Sequence, residues 1–218
     1  MSALNPNGAP LALSHRDCVT VGDAHAWAVT SADDAYRYLL GRTWDSTLPP
    51  WIFGMLNPSK ARVKDDPTVT KCCGFAKRGG AGGVIVVNAM ALSETHPKRL
   101  VARAMAGEDA VGPHNMAAIA WAVRRTGLTI AAWGRIPRAL VNVAWPGTVA
   151  IRATDPDCFG LNMDGSPRHP LMLAYATARV SFAVASDARR CSAVVAQAAK
   201  PLRPRSDDVT TPEGVKDR

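Results

Sequence analysis

Short apolar runs, each closed by a polar turn, recur along the middle of the chain. Trp51 to Leu56 reads as a first central strand, and the chain leaves it through Asn57-Pro58-Ser59. Pro58 fixes φ and lacks an amide donor, so the strand must end there. Asp66-Pro67-Thr68 is a helix start, with Asp66 as N-cap and Pro67 in the first turn. That helix runs to about Arg78 and stops at Gly79-Gly80-Ala81-Gly82-Gly83. Gly83 to Asn88 is a second central strand, apolar on both faces as a buried parallel strand is. Pro113 to Arg125 carries Met116, Ile119, Ala120 and Val123 at helical spacing, and Gly127 ends it. Leu128 to Trp133 is a third strand, followed by a short helix through Ala139 to Val143. Thr148 to Ile151 and Cys158 to Leu161 read as weaker strands. Upstream, Cys18 to Thr30 suggests a strand or hairpin, and Tyr36 to Leu40 a strand antiparallel to it. Val180 to Lys200 has room for a further strand and helix. Alternation of strands and helices predicts an α/β fold, a three-layer α/β/α sandwich with a mostly parallel central sheet.

The ends read differently. Residues 1–16 are rich in Pro, Asn, Gly and Ser and are expected to be loose; 201–218 are polar and charged and are expected to form a disordered tail. This leaves one domain over 17–200, with the motif-bearing core at about 35–175. A net charge of +8 and a pI of about 9.6 favour an anionic partner, nucleic acid or a phosphorylated small molecule, although a merely soluble basic protein has the same charge. Lys and Arg are scattered, so a basic face would have to be assembled by folding. Cys18, Cys72, Cys73, Cys158 and Cys191 form no CxxC pair, which removes the usual zinc and iron–sulfur spacings; no metal or other cofactor is expected. Reduced thiols fit a cytoplasmic protein. The first ten residues show no signal-peptide pattern, and no apolar stretch of membrane-spanning length occurs, so no membrane association is expected.

Candidate chemistry lies where strands end. Asn57 and Asn88 each close an apolar strand, and in open α/β sheets the carboxyl ends of strands are where ligands bind. Gly165-Ser166-Pro167-Arg168-His169-Pro170 is a stiff loop carrying one His between prolines. The three loops together suggest one composite site. Each residue also has a plain structural reading. Asn57 caps a turn, Asp66 caps a helix, and Asn88 is a strand-end amide that must find partners. The glycine run before the second strand is a turn and not a phosphate loop, because it does not join strand to helix. Cys72 is either a nucleophile or a buried thiol. His96 and His114 carry no partner motif, and Trp121 reads as packing.

Met55-Leu56-Asn57-Pro58-Ser59, Asp65-Asp66-Pro67-Thr68, Val87-Asn88 and the 165–170 loop resemble the domain-of-unknown-function 1643 family of bacterial and phage proteins. More distantly, the same landmarks resemble the uracil-DNA glycosylase superfamily. Gly54-Met55-Leu56-Asn57-Pro58 is similar to its water-holding motif, with one extra residue between Gly and Asn. Val84 to Asn88 looks like the strand whose final Asn reads the flipped base. Ala132-Trp133-Gly134 matches a strand ending in Trp-Gly, and His169-Pro170 matches the first half of a His-Pro-Ser-Pro loop. Leu171-Met172 departs from the second half, and Ser59 stands where Gly is common.

The superfamily resemblance implies a uracil-DNA-glycosylase-like fold and an enzyme that flips a modified or unusual base from duplex DNA and hydrolyses its N-glycosidic bond. Asn57 would orient the water, Asp65 or Asp66 would act as base or counter-charge, and His169 would donate to the departing base. Asn88 would read the base edge, Phe75 or Trp133 would stack on it, and Gly54, Pro58 and Ser59 would shape the pocket. Arg168, Lys60 and Arg62 would contact phosphates. A phage or antiviral-defence setting would suit it. Two alternatives share the fold: a DNA-binding sensor module without catalysis, and a hydrolase or transferase acting on free nucleotides. Base selectivity and oligomeric state are not encoded in any of these motifs.

Overall fold

The apolar run that ends at Asn57 forms strand β4 (Pro50–Met55), and everything else is arranged around it. The computed structural model of the protein describes residues 14–21, 23–59, 66–125 and 127–187. β4 lies parallel to β5 (Gly83–Asn88) on one side and to β6 (Thr129–Ala131) on the other. β6 continues in parallel to β7 (Asp157–Cys158). Beyond β5 come β3 (Arg37–Thr43), β2 (Ala24–Thr30) and β1 (Ser14–Val21), all antiparallel. β8 (Val180–Ser181) closes the far edge antiparallel to β7. The eight-stranded order among the described residues is β1-β2-β3-β5-β4-β6-β7-β8. The sheet is therefore mixed: parallel pairing is confined to its four central strands, whereas a mostly parallel sheet was expected. The first and second hairpins account for the difference, because short connections allow only antiparallel neighbours.

Helices cover both faces. α1 (Pro67–Arg78) begins as the Asp-Pro signal predicts. Asp66 is its N-cap and accepts from the Val69 amide at 2.8 Å. Its inner residues Val69, Cys72, Phe75 and Ala76 pack on Phe53, Val84, Val86 and Ile130 of the sheet. The opposite face carries Ile52, Ile85, Val87 and Ala131, covered by α3 (Asn115–Val123) through Ala118, Ile119 and Ala122 and by α4 (Val141–Arg152) through Ile151. The β4–α1–β5 connection runs outward one way and β5–α3–β6 returns across β4 on the other face. The loops after β4 and β6 thus diverge, a topological switch point of the kind at which open α/β sheets bind ligands.

Four sequence readings change. Residues 148–151 are not a strand but the buried last turn of α4, where Ala144, Gly147, Thr148 and Ile151 form a helical stripe. α4 also continues well past the expected Val143, following a 3-10 turn at Arg138–Leu140. A helix absent from the pattern analysis, α2 (Pro97–Met105), buries only Leu100. β1 already begins at Ser14, within the segment expected to be loose. The expected tail at 201–218 and the region from 188 lie outside the described residues, and no described helix is long and apolar enough to cross a membrane.

Gly147 fixes the α4 approach: a side chain there would run into the carbonyl and Cα of Ala89, the residue after β5. Gly147→Val should therefore lower the unfolding free energy by about 1–3 kcal/mol through overpacking. Urea unfolding at constant m-value checks it, and an unchanged midpoint would mean that α4 does not pack this closely.

Candidate functional site

At the carboxyl end of β4 the backbone ladder continues for two residues, with Ala89 donating to Met55 and Met90 to Leu56. The turn that follows is fastened sideways. The Asn57 amide donates from Nδ2 to the Glu94 carbonyl at 2.7 Å and to the Pro58 carbonyl at 3.2 Å, and the Glu94 amide returns a bond to Pro58. Pro58 is buried. With Nδ2 committed, Oδ1 of Asn57 accepts no hydrogen bond among the described residues, so an acceptor is held at the strand end in a fixed direction. An amide oxygen orients a water without deprotonating it. Glu94 is itself buried, 3% exposed, and its carboxylate caps the Thr95 and His96 amides with Arg99 and Arg103 at 3.7–3.8 Å.

Asn88 ends β5 in register with Met55. Strand alternation places it on the α1 face with Val84 and Val86. It is 1% exposed, and neither Oδ1 nor Nδ2 has a hydrogen-bond partner among the described residues. Leaving both halves of a buried amide unpaired costs a few kcal/mol, so such a group is either a strain reservoir or a ligand seat. Its backbone is held from below: Asn115, at the start of α3, donates from Nδ2 to the Asn88 and Ala89 carbonyls at 2.9 and 3.2 Å.

His169 arrives from the far side. Gly134, after β6, adopts φ +70°, and a side chain there would come within 3.2 Å of the His169 Cβ, so the close approach depends on the glycine. The Leu171 amide donates to His169 Nδ1 at 3.3 Å. A nitrogen that accepts carries no proton, so the neutral ring is protonated on Nε2. Burial pushes the imidazole below its ordinary value and outweighs the opposing pull of Asp66. At neutral pH His169 is thus an uncharged Nε2–H donor. Asp66 links the two sides: it caps α1, accepts from the Ser59 hydroxyl at 2.7 Å, and lies in the field of His169 and of Arg37.

Hydrogen bonds join Ser59, in the turn carrying Asn57 and Pro58, to Asp66; Asn88 ends the neighbouring strand in register with Met55, and His169 lies in the field of Asp66. Phe75 lies on the same face of the sheet, but its ring already packs tilted against Phe159 at 4.2 Å and edge-on to Tyr175 at 5.1 Å. Two expectations are corrected. Trp133 belongs to the opposite face, where it packs edge-on against Phe182 at 5.6 Å and cannot stack beside Asn88. Gly54 lies inside β4, and its open side faces Ile151 of α4, within 2.7 Å of where a Cβ would stand; it serves close packing, not a pocket. Arg168 is exposed at the rim, bonded to the Leu161 carbonyl at 3.3 Å. Asp65, Lys60 and Arg62 lie outside the described residues. Cys72 is buried, and burial drives its thiol well up, which removes it as a nucleophile. No group of metal-ligating side chains occurs among the described residues.

The residue that pattern reading passed over is Arg37. It is 4% exposed at the start of β3 and donates from Nη1 to the Ser59 carbonyl at 3.5 Å. The signal was present: it is a lone charge inside the apolar run Tyr36-Arg37-Tyr38-Leu39-Leu40.

A mixed, open sheet with helices on both faces makes this an α/β protein. More particularly, the chain belongs to the family described as "Protein of unknown function (DUF1643)", whose family model matches residues 37–171, from Arg37 through the His169 loop. Comparison with curated proteins and with solved structures gives no match.

Two outcomes follow from the geometry. Asp66→Ala removes the α1 cap and should cost about 0.5–2 kcal/mol, read by denaturant unfolding. The folded protein disfavours His169 protonation, so the unfolded chain takes the proton first. Stability should therefore fall as pH drops through 6.5, the ordinary value, until the lower folded value is passed. His169→Gln should show a smaller loss over that window in thermal melts at pH 5 to 8; an identical pH profile would contradict the burial of the ring.

Proposed function

We propose that the protein is a DNA-base glycosylase-like hydrolase on a uracil-DNA-glycosylase-like three-layer sandwich, removing a modified or unusual base. The observation that carries this reading is Asn88. Its buried amide offers one donor and one acceptor side by side, which matches the hydrogen-bonding edge of a nucleobase. Such a base would enter over the Phe75–Phe159 floor after leaving the stack. His169 Nε2–H supplies a neutral donor where charge builds on the departing base. Asn57 Oδ1 orients water toward a sugar of oxocarbenium character, for which strong basicity is unnecessary. The departure at Leu171 leaves His169 in working order, since the backbone amide of residue 171 sets the ring tautomer whatever the side chain. The net charge of +8 suits a DNA partner.

The test uses labelled duplexes containing uracil, hypoxanthine, mismatched thymine or hypermodified pyrimidines, incubated with the protein and cleaved by alkali at abasic sites. Scission is expected on one class of base and should fall about 10²–10³-fold in His169→Ala, the scale for removing one charge-stabilising donor. Asn57→Ala should lose cleavage while retaining most DNA binding. No scission with salt-dependent DNA binding would replace catalysis by sensing. Neither scission nor binding would point to free nucleotides.

A further inference from the structure

The carbonyl that receives the Asn57 amide belongs to Glu94, and the Glu94 side chain grips the same peptide from its other end. Asn57 Nδ2 donates to the Glu94 carbonyl at 2.7 Å, and the Glu94 amide donates to the Pro58 carbonyl at 3.0 Å. The carbonyl of Glu94 and the amide of Thr95 are two ends of one rigid peptide plane. The carboxylate of Glu94, a residue only 3% exposed, folds back onto that plane: Oε1 accepts from the Thr95 amide at 2.9 Å and from the His96 amide at 3.1 Å. Helix α2 steadies it from the other side, with Arg103 Nη1 at 3.7 Å and Arg99 Nε at 3.8 Å from Oε2. Arg103 is itself tied to the Ser93 carbonyl at 3.3 Å and to Glu108 at 2.6 Å. We propose that Glu94 is a positioning residue for Asn57: its carboxylate locks the 94–95 peptide, and the carbonyl of that peptide decides which end of the Asn57 amide is left to act as acceptor.

The choice between two ends is the physical content. Turning a carboxamide by half a revolution about its last torsion exchanges donor for acceptor with almost no change of shape. A carbonyl 2.7 Å away only accepts, so it selects the Nδ2 end and turns Oδ1 away from itself. The opposite setting would bring two oxygens together at that distance. Selection is as firm as the peptide that supplies the carbonyl. Glu94 lies outside any strand or helix, so no ladder fixes that plane; the carboxylate bonds at 95 and 96 do. Rotating the plane breaks the bond to Asn57 and the bond to Thr95 together. The same carboxylate also serves the start of α2, whose N-cap His96 makes no side-chain capping bond. A helix cap alone would leave the Asn57 amide indifferent to the side chain at 94, and that difference separates the two roles.

The use of Asn57 to orient water rests on the glycosylase reading, whereas the setting of its amide is measured without any activity. In the isotope-labelled full chain, NMR at neutral pH should show a coupling across the hydrogen bond from Asn57 Nδ2 to the Glu94 carbonyl carbon. Glu94→Ala should abolish it and speed solvent exchange of the Nδ2 hydrogens about tenfold, the scale of one lost hydrogen bond. Glu94→Gln keeps an oxygen for the Thr95 and His96 amides and should retain the coupling. Leu100→Ala weakens the packing of α2 without touching Glu94 and should retain it as well. If Glu94→Ala does not fold, the parent, the Gln variant and Leu100→Ala still decide. A coupling missing from the parent, one that survives Glu94→Ala, a Gln variant that behaves like Ala, or a loss in Leu100→Ala overturns the proposal. Where duplexes are cleaved, Glu94→Ala should lower kcat by about 10²-fold with KM unchanged, the scale for a misplaced reacting group; an unchanged kcat overturns the role. Absent scission in the duplex assay with the couplings as expected would sink the glycosylase reading alone.

Discussion

The carboxylate of Asp66 satisfies several demands at once. It supplies an acceptor to the first turn of α1, an anchor to the Ser59 hydroxyl, and an opposite charge to buried Arg37. The turn after β4 and the helix α1 thus meet at a single side chain, and Arg37 of β3 holds the same turn at the Ser59 carbonyl. Four backbone amides at a helix start are unsatisfied without such a group.

Around that junction the molecule contrasts committed and uncommitted polar groups. Asn57 spends its donors on Glu94 and Pro58; Asn115 spends its donor on the Asn88 and Ala89 backbone; His169 spends Nδ1 on Leu171. What is left over among the described residues is Asn57 Oδ1, His169 Nε2–H and both ends of the Asn88 amide. Asn57 stands after β4, Asn88 at the end of β5, and His169 in the loop that closes against Gly134 after β6. The arrangement is preorganised in the sense that each outward group is fixed by what its other end does.

Much of this was readable in the chain because its signals are local. Asp66-Pro67 marks a helix start whatever lies elsewhere, and Val84 to Asn88 reads as a buried parallel strand because four apolar residues in a row suit nothing else so short. Residues 148–151 misled because Thr148, Val149 and Ile151 favour a strand and Pro146 suggests a break. Burial of Ala144, Gly147 and Ile151 against the sheet overrides that preference. Helix α2 escaped because it buries a single Leu100 and its N-cap, His96, makes no capping bond. Trp133 was placed on the wrong face for a reason no motif carries: in a strand the side is decided by parity, and the residue that precedes it, Ala132, takes the α1 face. Arg37 lies far in sequence from everything it serves.

The strand order has a kinetic consequence. β1, β2 and β3 are joined by short connections and pair antiparallel with near neighbours in sequence, so they close with little loss of loop entropy. β5 must wait for α1 before it can lie beside β4, and β6 for the whole stretch from 89 to 128. Long-range parallel pairing is the slow part of folding. The crevice is built by those late pairings, and His169 joins it last in chain order. The meander therefore acts as a template on which the rest condenses, and a chain still emerging during synthesis holds a formed flank long before it holds a site.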